Sequence, residues 1–148
     1  MSMVIGIDPG ISGGIAFIGN EVIAYKMPET ERDVFDLLDG IFEGCGEAPT
    51  VFLEKVHTMK GQGIASSGKF MQGYGFLRGI LIALKYPLHD VSPIKWQRTL
   101  GCLTKGDKNV TKQMAQQLFP QIKVTHSIAD ALLIAYFGKL FLEENVKI

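Results

Sequence analysis

An α/β fold is the expectation for this chain, and three observations lead to it. Residues 1–26 hold three short apolar runs separated by turn residues, which is how an antiparallel meander is written. Two further strand-like runs, at 50–54 and 88–91, alternate with stretches whose apolar residues recur at the helical spacing of three and four. The chain then closes on two helical stretches divided at Pro120.

Taken in order, Val4, Ile5 and Ile7 make a β-branched buried strand that halts at Asp8, followed by Pro9-Gly10. The chain turns back through Gly13 to Ile18, turns at Gly19-Asn20 and runs out as Glu21 to Lys26. Thr30 with Asp33 three residues on resembles a capping box, and Val34, Leu37, Leu38, Ile41 and Phe42 place an amphipathic helix over about 30–43. Thr50 to Glu54 is a second buried strand ending on an acid. Paired parallel to the first across a helix, it brings Glu54 and Asp8 to one edge of the sheet.

Residues 55–69 are rich in Gly, Ser and Lys and read as a loop. Within it, Gly63 to Phe70 comes one residue short of a phosphate-binding loop, with Phe70 where a magnesium-holding Ser or Thr is needed and no strand running directly into it. Phe70 to Lys85 reads as a long helix. Gly73, Gly75 and Gly79 each weaken it by about 1 kcal/mol relative to alanine, a cost that points to close packing against another backbone, either the chain's own sheet or a second copy. Leu88 to Val91 is a short strand. Ser92-Pro93 starts a helix with Trp96 in the core and Lys95 and Arg98 outside. A loop over 101–109, a helix stopped at Pro120 and a final helix from about Thr125-His126-Ser127 complete the chain.

The length of 148 residues fits one domain spanning 1–148, and 47% hydrophobic with 20% charged residues excludes disorder. Cys45 and Cys102 match no metal spacing and read as reduced thiols. No charged-then-apolar leader opens the sequence, and the apolar stretch from Ala129 to Leu142 contains Asp130 and Lys139 and is too short to span a bilayer. The expectation is a soluble, cytoplasmic protein without a membrane partner.

The formal net charge of +0 hides a segregation. Residues 1–54 carry ten acids against two bases, whereas 55–112 carry ten bases against Asp90 and Asp107. A basic middle is what a phosphate backbone attracts. It is equally the composition of solvated helix faces, because segregation along the chain need not become segregation in space.

Three acids lie in apolar surroundings: Asp8 and Glu54 at strand ends, and Asp130 in the first turns of the last helix. Each alone has a local explanation, as a turn residue or a helix-dipole partner. Together with the basic middle they are better explained by a divalent-metal site acting on a phosphodiester.

The pattern resembles the RuvC-type Holliday junction resolvases, within the ribonuclease-H-like nucleases, a phage-type member among them being one form it takes. The residues that carry the resemblance are Gly6-Ile7-Asp8-Pro9-Gly10 with Gly13-Gly14, then Phe52-Leu53-Glu54-Lys55-Val56, Gly73 to Gly79 with Arg78, and Ile128-Ala129-Asp130-Ala131-Leu132. The resemblance implies a mixed five-stranded sheet flanked by helices and a homodimeric, magnesium-dependent nuclease. That enzyme resolves four-way junction DNA, with two ions per active site and manganese able to substitute, and leaves 5′-phosphate and 3′-hydroxyl ends. By position, Asp8, Glu54 and Asp130 become metal ligands. The family's fourth ligand falls on Ser127, with His126 one residue earlier; imidazole chemistry favours His126, and both share a helix face with Asp130. Lys95 and Lys108 fall where the family places lysines near the scissile phosphate. The loop after Glu54 corresponds to the one that enters the junction centre, with His57 where an aromatic is usual and Phe70 a second stacking candidate. Lys60, Lys69, Arg78, Lys105 and Lys112 of the basic middle complete the expected DNA contacts.

Competing readings are another ribonuclease-H-like nuclease, acting on other branched DNA or on RNA–DNA hybrids, and a non-catalytic DNA-binding module. The module leaves three embedded acids unexplained. An actin-like sugar kinase also opens on a strand, an Asp and glycines, but its two lobes do not fit in 148 residues.

Overall fold

The structure is a computed structural model that describes residues 2–56, 61 and 63–143. Its strands are β1 (Val4–Asp8), β2 (Gly14–Ile18), β3 (Val22–Lys26), β4 (Thr50–Glu54) and β5 (Leu88–Val91). The described helices are α1 (Glu31–Gly44), α2 (Ile64–Ala83), α3 (Pro93–Leu100), α4 (Lys108–Leu118) and α5 (His126–Leu142). The strands form one sheet in the order β3-β2-β1-β4-β5, antiparallel from β3 to β1 and parallel from β1 through β4 to β5. This is the mixed five-stranded α/β architecture expected from the sequence.

Side chains alternate between the two faces of a strand, and that alternation builds two cores. Val4, Ala16, Ile18, Phe52 and Val91 face α3, α4 and α5, whereas Ile5, Ile7, Ile15, Val51 and Leu53 face α1 and α2. Helix α5 is apolar nearly all round and buried from Ile128 to Gly138 except at Asp130 and Tyr136, as expected of a helix covered on every side. It lies directly on β1, because a Cβ at Gly6 would overlap the backbone of Ala131 and Ala135.

Local chemistry explains the element ends. Thr30 caps α1 by accepting from the Asp33 amide at 3.1 Å, Ser92 caps α3 by accepting from the Lys95 amide at 3.2 Å, and Asp107 caps α4 by accepting from the Asn109 amide at 2.9 Å. Gly101 ends α3 in the left-handed conformation at φ 72°.

The stretch around residues 64–69 departs from expectation. It is the first part of α2, not a loop, so a phosphate-binding loop at Gly63 to Phe70 is excluded. Once a helix is nucleated, extending it costs little, and the Gly and Ser residues that suggest a loop are tolerated at its solvent-exposed start. Gly73, Gly75 and Gly79 depart in another way. Among the described residues nothing lies within 4 Å of a Cβ placed at any of them, so they do not seat the helix on its own sheet. Among the described residues no helix is long and apolar enough to cross a membrane.

Candidate active site

Asp8 and Glu54 meet because β1 and β4 run parallel with Ile7 opposite Leu53, which puts the next residue of each strand side by side at the sheet's carboxyl edge. Each acid lies two residues beyond a residue that faces α5 or opens toward it, Gly6 for Asp8 and Phe52 for Glu54, so both project to the α5 side. Asp130 comes from the second turn of α5, which Gly6 and Gly14 allow to approach: a Cβ at Gly14 would lie 2.6 Å from the Ser127 carbonyl. Glycines at two strand positions therefore let the third acid reach the first two.

Electrostatics show that the three carboxylates form one group. Burial, then the charges of Glu54 and Asp130, push Asp8 up to about 8, with Lys108 opposing. Burial pushes Glu54 up to about 7 against the Trp96 hydrogen bond, and Asp130 raises it further. Asp130 is also raised by burial, while a hydrogen bond from Thr111 and the charges of Lys108 and His126 lower it. Acids that hold protons this tightly are a charge arrangement waiting for a cation.

Two neighbours fix the acids. The buried indole of Trp96 on α3 donates to Glu54 Oε2 at 2.7 Å. Thr111 of α4, 3% exposed, lies against Asp130 and against the Lys108 carbonyl at 3.3 Å.

A cleft of about 730 Å³ opens beside this group, lined among others by Asp8, Asp130, His126, Ser127, Lys108 and Thr111 on one side and by Lys69 and Phe70 of α2 on the other. Phe70 reaches to within 3.0 Å of the Cβ position at Gly10, whose φ of 108° keeps the turn after Asp8 glycine-only. Glu54 does not line the cleft itself.

The other residues expected from the sequence distribute unevenly. His126 is the first residue of α5, with Thr125 in the cap position, so His126 and Asp130 stand four apart in one helix with Ser127 between them. Lys95 sits half-buried on α3 outside the cleft, as do the exposed Lys105 and the half-buried Lys112 on α4. Arg78 is paired with Asp90 and lies over the Tyr74 ring, with about a third of its side chain exposed. His57 and Lys60 lie outside the described residues. Lys26, from the acidic first third, lines the cleft and was not anticipated, nor were Thr111 and the polar role of Trp96.

The donor set suits a hard divalent cation. Three half-buried carboxylates from three elements are coupled electrostatically and opposed chiefly by one lysine, and magnesium or manganese takes such oxygen ligands. Asp8, Glu54 and Asp130 would hold it. Among the described residues no three His, Cys, Asp or Glu side chains close into a ligand-ready set.

His126 and Ser127 are separable by experiment. His126→Ala is expected to lose at least about tenfold in turnover with DNA binding kept, as for a partner that orients a metal site, and Ser127→Ala to stay near wild type. The converse outcome in a single-turnover assay reassigns the position to Ser127.

No protein-family model matches the sequence, and no curated protein matches it. Solved structures do. Thermus thermophilus RuvC in complex with a Holliday junction substrate superposes with a TM-score of 0.65 at 16% identity, covering 97% of this chain and 96% of that one. A second Thermus thermophilus RuvC structure gives 0.61 at 16% identity over the same shares. The yeast mitochondrial Holliday junction resolvase Ydc2 gives 0.57 at 17% identity, covering 97% of this chain and 82% of that one. With its mixed five-stranded sheet and 97% of its length covered by each of these structures, the chain has the fold of RuvC.

Proposed function

We propose that this protein is a structure-specific DNA endonuclease that resolves four-way junctions by metal-dependent hydrolysis of phosphodiester bonds, leaving 5′-phosphate and 3′-hydroxyl ends. The observation that carries the proposal is the convergence of Asp8, Glu54 and Asp130, from three separate elements, into one desolvated and mutually repelling group beside an open cleft. The likeness to a resolvase solved with its junction supports the choice of substrate. Asp8, Glu54 and Asp130 would hold a divalent ion, magnesium with manganese as a substitute, which would supply charge neutralisation at the phosphodiester and activation of water.

The chain's own residues do the rest. Lys108, close enough to Asp8 and Asp130 to alter their proton affinity, steadies negative charge as it develops on the phosphate. Phe70 offers a face on which an unpaired base stacks, and Lys69 beside it meets the backbone. Lys95, Lys105 and Lys112 lie farther out and serve as backbone contacts for the arms of a branched substrate. The soluble, cytoplasmic setting is part of the same proposal.

The active form is a homodimer, since two opposed cuts on a two-fold substrate need two sites related by a two-fold axis. The outer face of α2 supports this: Ile64 and Ile82 are 94% and 60% exposed, and Gly75 and Gly79 on the same face open onto space where a second backbone fits, whereas Gly73 faces the cleft. Light scattering at micromolar concentration is expected to give twice the 16.3 kDa monomer mass. A monomer both with and without junction DNA contradicts it.

The deciding experiment is cleavage of an end-labelled four-way junction beside duplex, flap and RNA–DNA hybrid controls, with magnesium and with chelator. Symmetric cutting of the junction that needs the metal supports the proposal. Cutting confined to flap or hybrid makes the protein a different ribonuclease-H-like nuclease, and junction binding without cutting makes it a binding module.

A further inference from the structure

We infer that Trp96 is a positioning residue for Glu54, its indole N–H holding one carboxylate oxygen and so fixing the orientation in which the carboxylate is presented to a divalent cation. The inference rests on the metal-site reading above and sharpens it. Trp96 Nε1 donates to Glu54 Oε2 at 2.7 Å, and the ring is fully buried among the side chains that join α3 and α5 to the sheet. An indole N–H is a donor only and an ionised carboxylate an acceptor only, so the pair has one polarity and favours Glu54 in the unprotonated form that binds metal.

The surrounding structure keeps this bond in place. Helix α3 is only eight residues long and is pinned at both ends, by the Ser92 cap at 3.2 Å and by left-handed Gly101, whose amide bonds back to Arg98 at 3.1 Å. Core filling at this position needs a large ring but no donor, and the one tryptophan in the chain stands where the donor meets an acid of the site. With one lone pair of Oε2 engaged by the indole, the carboxylate plane is fixed and Oε1 is the oxygen left wholly free to reach an ion. Partners that orient a metal ligand in this way typically govern affinity by 10- to 100-fold.

A single tryptophan means a single indole N–H resonance, which makes the test direct. In the metal-free protein, Glu54→Gln is expected to move that resonance upfield, because a neutral amide oxygen accepts more weakly than a carboxylate. In the wild type, titration with magnesium is expected to move it saturably, in step with binding measured by calorimetry. Trp96→Phe keeps a ring in the core and is expected to weaken manganese binding, followed by electron paramagnetic resonance, by about tenfold or more.

An indole resonance unmoved in Glu54→Gln, or unmoved in the wild type at saturating magnesium, overturns the inference without recourse to a core variant. So does a folded Trp96→Phe that binds manganese as the wild type does. A wild-type protein that binds neither ion overturns the metal-site reading itself, and the inference with it.

Discussion

Asp8→Asn is expected to leave the fold intact and to lower metal-dependent turnover by roughly a thousandfold, since a metal ligand supplies several kcal/mol of charge stabilisation and each 1.4 kcal/mol is about tenfold in rate. Asparagine keeps the shape of the side chain at the end of β1 and removes its charge. The same change is expected to stabilise the metal-free protein. Asp8 holds its proton up to about 8 in the fold, because of burial first and then Glu54 and Asp130, against about 3.8 for a free carboxyl. A folded-state value above the unfolded one means that the folded protein binds the proton more tightly. The carboxyl's contribution is then fully present at pH 4 and below and is lost as pH rises from about 4 to about 8.

Thermal unfolding of the metal-free pair should therefore coincide near pH 4 and diverge with rising pH. The variant should be the more stable by on the order of 2 kcal/mol at pH 8, a figure discounted for water entry around a half-buried group. Saturating magnesium should close or reverse the gap, because only the wild type gains full binding energy. A variant that cuts at a near-normal rate, or whose stability tracks the wild type at every pH, removes Asp8 from the site.

Gly6→Val is expected to destabilise the protein by more than about 4 kcal/mol, the range reached only when packing is broken outright. The space that a valine would fill is already occupied by the backbone of Ala131 and Ala135, and a helix backbone cannot retreat as a side-chain tip can. To admit the side chain α5 must lift away from β1, which exposes the core that Ile128, Leu132 and Ala135 build and withdraws Asp130 from Asp8. Urea unfolding checks the prediction. A midpoint within experimental error of the wild type would mean that the contact between β1 and α5 does not carry the architecture.

The features that made the site readable in the sequence are local ones. Asp8 and Glu54 each end a β-branched or apolar run, and a parallel pairing of those two runs suffices to bring them together. Asp130 is conspicuous because its sequence neighbours from Ile128 to Ala135 are all apolar. Periodicity also located the α1 face and the meander, since both depend on spacings of two, three and four.

What escaped depends on contacts between distant segments. Trp96 was legible as core but not as a donor, because its partner lies 42 positions away on β4. Thr111 has no local pattern that distinguishes it from any helical threonine. The pairing of Arg78 with Asp90 had no local signal either, because β5 brings the acid to it from twelve positions away. The acidic first third and basic middle likewise mix in space, since the cleft takes Lys26 from one and Lys69 and Lys108 from the other. The start of α2 was misread for a different reason: Gly and Ser favour loops on average, but a twenty-residue helix anchored by Leu77 and Leu81 carries a weak first turn with it.

The central claim is that Asp8, Glu54 and Asp130 share one metal site. Manganese binding, measured by electron paramagnetic resonance on the wild type and on Asp8→Asn, Glu54→Gln and Asp130→Asn, tests it most directly and needs no substrate. The account predicts saturable binding in the wild type and an affinity lowered by at least about tenfold in each of the three variants. Wild-type affinity in any two of them would contradict a shared site.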